Sequence, residues 1–496
     1  MKGEVRVGRA RTLSLPTISF VIGAEILFLA AMMLLSLGVS LYYREGDALP
    51  IAAAIAITAL MGGVCILLGR GHGDISLRDG FAVVTFGWLA MAFTGALPAF
   101  FSGAIPSFTD AFFESMSGFT TTGASILGPH NPIESLPHGV LFWRSLTHWI
   151  GGMGIILLSL AILPVLSVGG MQLFRAEVPG PTKDKLTPRI RSTAEILWGV
   201  YLVISIAEIL LLWAGEMNLF EAACHTFGTM ATGGFSTSSR SLAAFPSRYS
   251  QYVVIVFMFL AGANFALHYR VMRGGIGNYW KSREFRFYLS IVALFSVVMV
   301  AVNLLRGGVG GVEETVRASV FQVVSILTTT GYGSADWEKW GVFAQALLLT
   351  LMFIGGMAGS TGGGVKVIRV QVVFKQIRLE MQRLLDPQAI LPLRLGTQRI
   401  EDGIVRNILT FLLVYFLILL VSTVVLTMFS IDLVTAFGAV LACLSNIGPG
   451  IGDVGATDNY GWLPGVVKWF LAVIMVLGRL EIYTVVMLFS RHFWRK

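Results

Sequence analysis

Residues 314–336 read ETVRASVFQVVSILTTTGYGSAD, and three other stretches of the chain echo them: DAFFESMSGFTTTGAS at 110–125, EAACHTFGTMATGGFS at 221–236 and DLVTAFGAVLACLSNIGPGIGD at 432–453. Each is apolar enough to enter a bilayer and too short to cross one, which takes roughly 20 apolar residues. Each opens near an acid (Asp110, Glu221, Glu313 or Glu314, Asp432), which suits the positive end of a helix dipole, and closes on a glycine-bearing turn. Aligning the glycines pairs Gly123, Gly233, Gly331 and Gly448, spaced 110, 98 and 117 residues apart. The unit is a span, a short helix, a turn and a second span, repeated four times.

The flanking sequence supplies the spans. Apolar stretches fall at about 18–41, 51–68, 81–101, 140–165, 194–214, 250–271, 287–305, 342–357, 404–429 and 463–490. Ten membrane crossings are therefore expected in an all-α polytopic protein. The first is too long for the apolar part of a secretory signal and is kept as a span. We divide the chain into an N-terminal two-span addition (1–75) and four repeats: 76–180, 181–280, 281–400 (with an intramembrane glycine-rich loop) and 401–496.

Composition agrees. Of 496 residues, 13% are charged and 55% hydrophobic, with a mean hydropathy of +0.76, so too few charges exist to coat several soluble domains. Cys65, Cys224 and Cys443 lie far apart in apolar surroundings, which argues against a disulfide framework and a zinc site. The seven histidines show no ligand spacing, and His148 in HWIGG is read as a packing residue. Lys and Arg cluster in alternate loops: Arg6, Arg9 and Arg11; Arg70 and Arg78; Arg175 to Arg191; Arg270 to Arg286; Lys366 to Arg406; and Arg491, Arg495 and Lys496. By the positive-inside rule those loops and both termini are cytoplasmic. The net charge of +8 is thus accounted for by topology, spread over many short loops, and no nucleic-acid partner is expected.

Non-helical backbone at membrane depth is tolerated only where it is buried in protein or lines a watery cavity, so four such turns imply a shared central pathway. Thr329-Thr330-Gly331-Tyr332-Gly333 comes close to the TVGYG filter of potassium channels, where carbonyl oxygens replace an ion's hydration shell. Glycine reaches positive φ without strain and lets consecutive carbonyls face one axis. The other three turns, Thr121-Thr122-Gly123-Ala124, Ala231-Thr232-Gly233-Gly234 and Asn446-Ile447-Gly448-Pro449, keep the central glycine and lose the rest. The competing use of these glycines is close helix packing.

Two gate candidates follow. After an apolar segment too short to cross as a helix (about 342–354) comes GGMAGSTGGG, containing Gly355, Gly356, Gly359, Gly362, Gly363 and Gly364. The chain is expected to unwind there inside the membrane and obstruct the pathway; the alternative is a linker at the cytoplasmic edge. Arg479 falls near the middle of the last apolar stretch, where an unpaired cation costs at least about 2.5 kcal/mol. It either forms an electrostatic barrier in the pathway or pairs with an acid on another span, Glu208 or Glu25. Glu481, two residues on, is expected to point elsewhere. Asp336, Glu338, Asp453 and Asp458 follow the third and fourth turns and are read as outer acids, either drawing cations or simply solvated.

The repeat, GFTTTGAS, TTTGYG, SNIGPG and the closing GRLEIYT together resemble the Trk/Ktr/HKT superfamily of potassium transporters, over nearly the whole chain. The two extra N-terminal spans resemble its TrkH/TrkG branch. The resemblance implies potassium as the transported ion, coordinated by backbone at Thr121 and Thr122, Ala231 and Thr232, Thr329 and Thr330, and Asn446 and Ile447. It also implies a gate made of the glycine-rich loop and Arg479, and placement in the bacterial inner membrane. A homodimer and a ring-forming, nucleotide-binding cytoplasmic partner of TrkA type are implied as well. No other cofactor is expected. Members coupled to sodium or protons leave passive and coupled transport both open. A rival reading is enzymatic: Gly450-Ile451-Gly452-Asp453 matches the GxGD of intramembrane aspartyl proteases. That chemistry needs a second carboxylate, found there in a Tyr-Asp pair, and the sequence contains none. A secondary transporter with inverted repeats would alternate the orientation of its halves, whereas these four units begin from one side.

Overall fold

A computed structural model describes residues 13–494 apart from 72, 74–75, 129–130, 162–185, 309, 390 and 396–397. Arg6, Arg9, Arg11, Arg175, Lys183, Lys185, Arg495, Lys496 and the boundary between the first two expected repeats lie outside the described residues.

All ten expected stretches carry helix. The N-terminal pair is α1 (Leu15–Tyr43) and α2 (Ala48–Leu68). They meet at small residues: a methyl at Gly23 would lie 2.8 Å from the Gly62 carbonyl oxygen. The first repeat is α3 (Leu77–Gly95), short α4 (Phe108–Phe119) and α5 (His138–Ala161). The second is α6 (Leu186–Trp213), short α7 (Leu219–Met230) and α8 (Arg248–Ala261). The third is α9 (Arg283–Leu305), short α10 (Val312–Leu327) and α11 (Val342–Ile354), followed by α12 (Val367–Leu385). The fourth is α13 (Asp402–Thr427), short α14 (Leu433–Ser445) and α15 (Gly465–Arg479).

Among the described residues, six helices are long and apolar enough to cross a bilayer, and eight are when two bent pairs each count as one span. Two of the ten depart for a visible reason. The helix α5 carries Arg144, Thr147 and His148, all buried, among its apolar residues. The helix α11 ends at Ile354 after 13 residues, where Gly355 takes φ +78° and the chain leaves the helix. Two more spans break: α8 turns by 102° into Phe265–Gly274, and α15 turns by 113° at Arg479. The last break corrects the expectation of an arginine in mid-helix. Leu480 caps α15, and Glu481 and Ile482 take positive φ of 58° and 55°.

The short helices start as their sequences suggest. Asn218 and Glu221 form a reciprocal capping box on α7, Ser107 caps α4 and the Asp432 carboxylate caps α14. Unlike the outer spans they are buried nearly all round: α4 from Ala111 to Phe119 and α14 from Ala439 to Ser445 are wholly covered.

Candidate functional site

Each short helix ends in the same backbone sequence. The capping residue is Thr120, Ala231 or Thr328 in the first three repeats, in αR conformation. The next residue turns left-handed at Thr121 (φ 50°), Thr232 (φ 55°), Thr329 (φ 62°) and Asn446 (φ 54°). Two positions later a glycine is left-handed again: Gly123 (81°), Gly234 (80°), Gly331 (79°) and Gly448 (83°). Between them the N–H groups of Thr122, Gly233, Thr330 and Ile447 each donate to the carbonyl five residues back, at 2.8 to 3.0 Å. Three β-branched threonines in a region such residues rarely occupy mark a backbone held by its surroundings.

This geometry corrects the second turn. Aligning the central glycines pairs Gly233 with Gly331, but the left-handed glycine is Gly234, and Ala231 belongs to the helix cap. The positions equivalent to Thr121 and Thr122 are therefore Thr232 and Gly233. The double glycine offered two registers, and only the backbone distinguishes them.

The four turns close on one another in cyclic order. A methyl at Gly123 would lie 2.0 Å from the Gly233 carbonyl oxygen, one at Gly234 2.1 Å from that of Thr330, and one at Gly331 2.0 Å from that of Ile447. At Gly448 it would lie 2.9 Å from the Thr122 oxygen. Every glycine thus rests against the same carbonyl of the next repeat, and the fourth returns to the first. The glycines are needed twice over, for their φ and for the space their missing Cβ leaves. Side chains brace the ring from behind. His148 Nδ1 donates to the Gly118 carbonyl at 2.8 Å, and its ring lies against Gly233. Asn446 Nδ2 donates to Thr122 Oγ1 at 2.9 Å, tying the fourth turn to the first.

The glycine-rich segment 355–364 is buried beneath the third and fourth turns. Gly363 N–H donates to Thr329 Oγ1 at 2.7 Å, and a methyl at Gly363 would lie 2.3 Å from the Ser445 carbonyl oxygen. Thr361 Oγ1 donates to the Met230 carbonyl at 3.0 Å, Met357 N–H to that of Gly262 at 2.9 Å, and Ala358 N–H to the buried Glu284 carboxylate at 2.8 Å. The segment therefore unwinds within the fold and touches three of the four repeats, as a solvated linker would not.

Arg479 is 2% exposed and meets that segment. Its Nη1 donates to the Thr361 carbonyl at 2.7 Å and its Nη2 to the Gly151 carbonyl at 3.2 Å. Glu208 and Glu25, the alternative partners, do not bond it: Glu208 is buried on α6 and Glu25 faces Gly87 of α3. Glu481 does find a cation, but it is Arg369 at the start of α12, because the broken helix no longer projects Glu481 where a continuous one would. Arg369 also lies 4.1 Å over the Phe411 ring. Lys366, buried with φ 79°, donates to the Gly362 carbonyl and closes the segment on itself.

Residues 49–496 match the family model described as TrkH, Cation transport protein. The chain belongs to the TrkH family. It is similar to the Trk system potassium uptake protein TrkH of Escherichia coli K12, 38% identical over 97% of this chain and 99% of that protein. To TrkG of the same strain it is 34% identical over 93% and 95% respectively. Its fold is that of the crystal structure of the potassium transporter TrkH from Vibrio parahaemolyticus, with a TM-score of 0.90 at 35% identity, covering 97% of this chain and 100% of the other. It is a multi-pass membrane protein.

Beyond the turns of this TrkH-family chain, a cavity of about 640 Å³ opens between the first and fourth repeats, lined by Asp110, Asn131, Asp453, Asp458, Asn459 and Trp462 among others. Asp453 of the GxGD stretch is exposed in this loop, with its N–H on Thr435 Oγ1. Asp110 accepts from Lys468 Nζ at 2.6 Å. The Glu338 and Asp458 carboxyls are raised above their ordinary values, first by partial burial and then by neighbouring charge, Asp458 and Asp336 beside Glu338 and Asp453 and Asp336 beside Asp458. Sequence reasoning missed Arg369, Lys366 and Glu284. Lys366 and Arg369 carried the signal of two cations directly after six glycines, but counted there only as cytoplasmic charge.

Proposed function

We propose that this protein carries potassium into a bacterial cell across the inner membrane, through a pore whose filter is the ring of four turns. The observation that carries this reading is the cyclic contact of Gly123, Gly234, Gly331 and Gly448 with the carbonyls of the next repeat. Backbone carbonyls gathered at one level offer the ligand set that replaces potassium's hydration shell. Thr121, Thr122, Thr232, Gly233, Thr329, Thr330, Asn446 and Ile447 are the residues that would present them, with potassium as cargo and no other cofactor. Segment 355–364 and Arg479 form the gate, one obstructing the path and the other repelling cations beside it.

The relatives' names, Trk system potassium uptake proteins, support potassium as the ion and uptake as the direction. The homodimer, the cytoplasmic nucleotide-binding partner of TrkA type and cytoplasmic termini enter as inferences from the resemblance. The test is ion flux into proteoliposomes of purified protein, comparing potassium, rubidium, sodium and lithium with and without a pH gradient. Faster potassium and rubidium than sodium and lithium entry is expected. Equal rates for all four would refute a potassium filter, and strict dependence on a proton or sodium gradient would replace passive conduction by coupled transport.

A further inference from the structure

Seven residues before the left-handed residue of each turn stand Glu114, His225, Gln322 and Ala439. Three of them are polar, buried and directed at the strand that leaves the turn of their own repeat. The Glu114 carboxylate accepts from Ser125 Oγ at 2.8 Å and from Ile126 N–H at 2.9 Å. His225 Nδ1 donates to the Glu221 carbonyl at 2.8 Å, which leaves Nε2 to accept from Ser236 Oγ at 2.9 Å. Ser125 and Ser236 are equivalent, each two residues past its turn's glycine. Gln322 Nε2 reaches Ser334 Oγ at a longer 3.5 Å. In the fourth repeat Ala439 has nothing to offer, and Tyr460 takes over by donating its hydroxyl to the Gly448 carbonyl at 2.9 Å.

The same layer joins repeat to repeat. Arg144, 6% exposed, pairs through Nε with Glu114 at 2.7 Å and sends Nη1 across to the Ser236 carbonyl of the second repeat at 3.0 Å. Its guanidinium lies 3.5 Å over the Phe235 ring. Tyr332 of the third repeat donates to the Phe235 carbonyl of the second at 3.1 Å, and Tyr460 N–H of the fourth to the Ser125 carbonyl of the first at 2.8 Å. Resting on the filter reading above, we propose that Glu114, His225 and Gln322 are positioning residues that set the ion preference of the filter by holding its exit strands, with Arg144 locking the first strand to the second. A buried polar layer fixes geometry because each group left without its partner is costly, so carbonyls anchored to it cannot relax around a smaller ion.

The experiment measures the potassium-to-sodium flux ratio, together with thermal midpoint, in proteoliposomes of wild type, His225→Ala, His225→Gln, Glu114→Gln and Gly331→Ala. His225→Ala should lower the ratio by about five- to tenfold, the equivalent of one lost buried hydrogen bond. His225→Gln installs the side chain that serves the third repeat and should recover most of the ratio. Glu114→Gln, which loses the pair with Arg144, should lower the ratio at least as much as His225→Ala. Glutamine that fails to rescue, or an unchanged ratio in folded His225→Ala while Gly331→Ala lowers it, would overturn the bracing role and leave the filter reading standing. An unchanged ratio in Gly331→Ala would overturn the filter reading and this proposal together. Should Glu114→Gln not fold, the alanine and glutamine pair at His225 decides alone.

Discussion

Arg479 Nη1 and the Thr361 carbonyl oxygen are 2.7 Å apart, so the residue at which the last span breaks holds the middle of the glycine-rich segment. Because the guanidinium also reaches the Gly151 carbonyl, it fastens that segment to the first repeat. The two elements proposed as the gate, separated by more than a hundred residues in the chain, are thus joined by a direct hydrogen bond.

Arg479→Ala should therefore raise potassium flux by removing both the anchor and the repulsion. A cation at about 6 Å from a unit charge, at an effective dielectric of about 20, is opposed by roughly 3 kcal/mol. Arg479→Lys keeps the charge and loses the planar fork, so its flux should lie between wild type and alanine. Both are to be measured beside thermal stability on one preparation. Wild-type flux in a stable Arg479→Ala protein would remove the arginine from the gate.

The glycines should separate by geometry instead of by motif. Gly331→Ala and Gly234→Ala each place a methyl about 2 Å from a neighbouring carbonyl and force a left-handed alanine, costing about 1 kcal/mol before any clash. Both should reduce potassium-over-sodium discrimination in flux assays. Gly333, the second glycine of the TTGYG signature, meets nothing nearer than the Ala456 oxygen at 3.9 Å. Gly333→Ala should keep the wild-type ratio, and a ratio as low as that of Gly331→Ala would contradict this account.

The repeat was legible because its units share an acid, an apolar run and a glycine, and the early end of α11 because 13 apolar residues cannot cross a bilayer. The register at Gly233 and Gly234 was not, since two adjacent glycines satisfy the same pattern. Nor was the partner of Glu481. Helical spacing presumes a continuous helix, and this one breaks at Arg479 through consecutive positive φ angles that no residue type there announces. The contacts of Glu114 and His225 were hidden for a third reason: their partners Ser125, Ile126 and Ser236 lie 11 or 12 residues on in the same repeat, brought back by a turn whose path the sequence does not disclose.

Shortening the glycine-rich segment by Gly362 and Gly363 removes the N–H that holds Thr329 Oγ1 and the packing beneath Ser445. Basal potassium flux should rise, and the response to a cytoplasmic regulatory partner should weaken. Loss of flux in a protein with a wild-type melting profile would instead make the segment a support of the pore.

The Arg369–Glu481 pair is nearly buried, with side-chain exposures of 3% and 15%. Removing one partner strands the other, a loss on the order of 3 to 5 kcal/mol, whereas replacing both with apolar residues is often neutral. Arg369→Met and Glu481→Met should each lower the thermal midpoint, and the double variant should recover part of the loss. Simple addition of the two shifts in the double variant would show that the residues are not coupled.

Glu338 provides a test of the outer surface with a defined sign. Its carboxyl is raised above its ordinary value of 4.5 by partial burial and by Asp458 and Asp336, so the folded protein holds its proton more tightly than the unfolded chain. Stability from this group must then fall as pH rises through the ordinary value toward the folded one, the opposite of a salt-bridged acid. Glu338→Gln, which removes the charge and keeps an acceptor, should raise the thermal midpoint at pH 7. The advantage should shrink as pH falls and vanish below about 4.5, where the wild-type group is protonated in both states. If the outer acids also draw cations inward, the same variant should slow potassium entry at low ionic strength and lose that effect in high salt, where charges beyond about 8 Å are screened. A lower midpoint for Glu338→Gln at pH 7 would mean that the ionised carboxylate stabilises this loop.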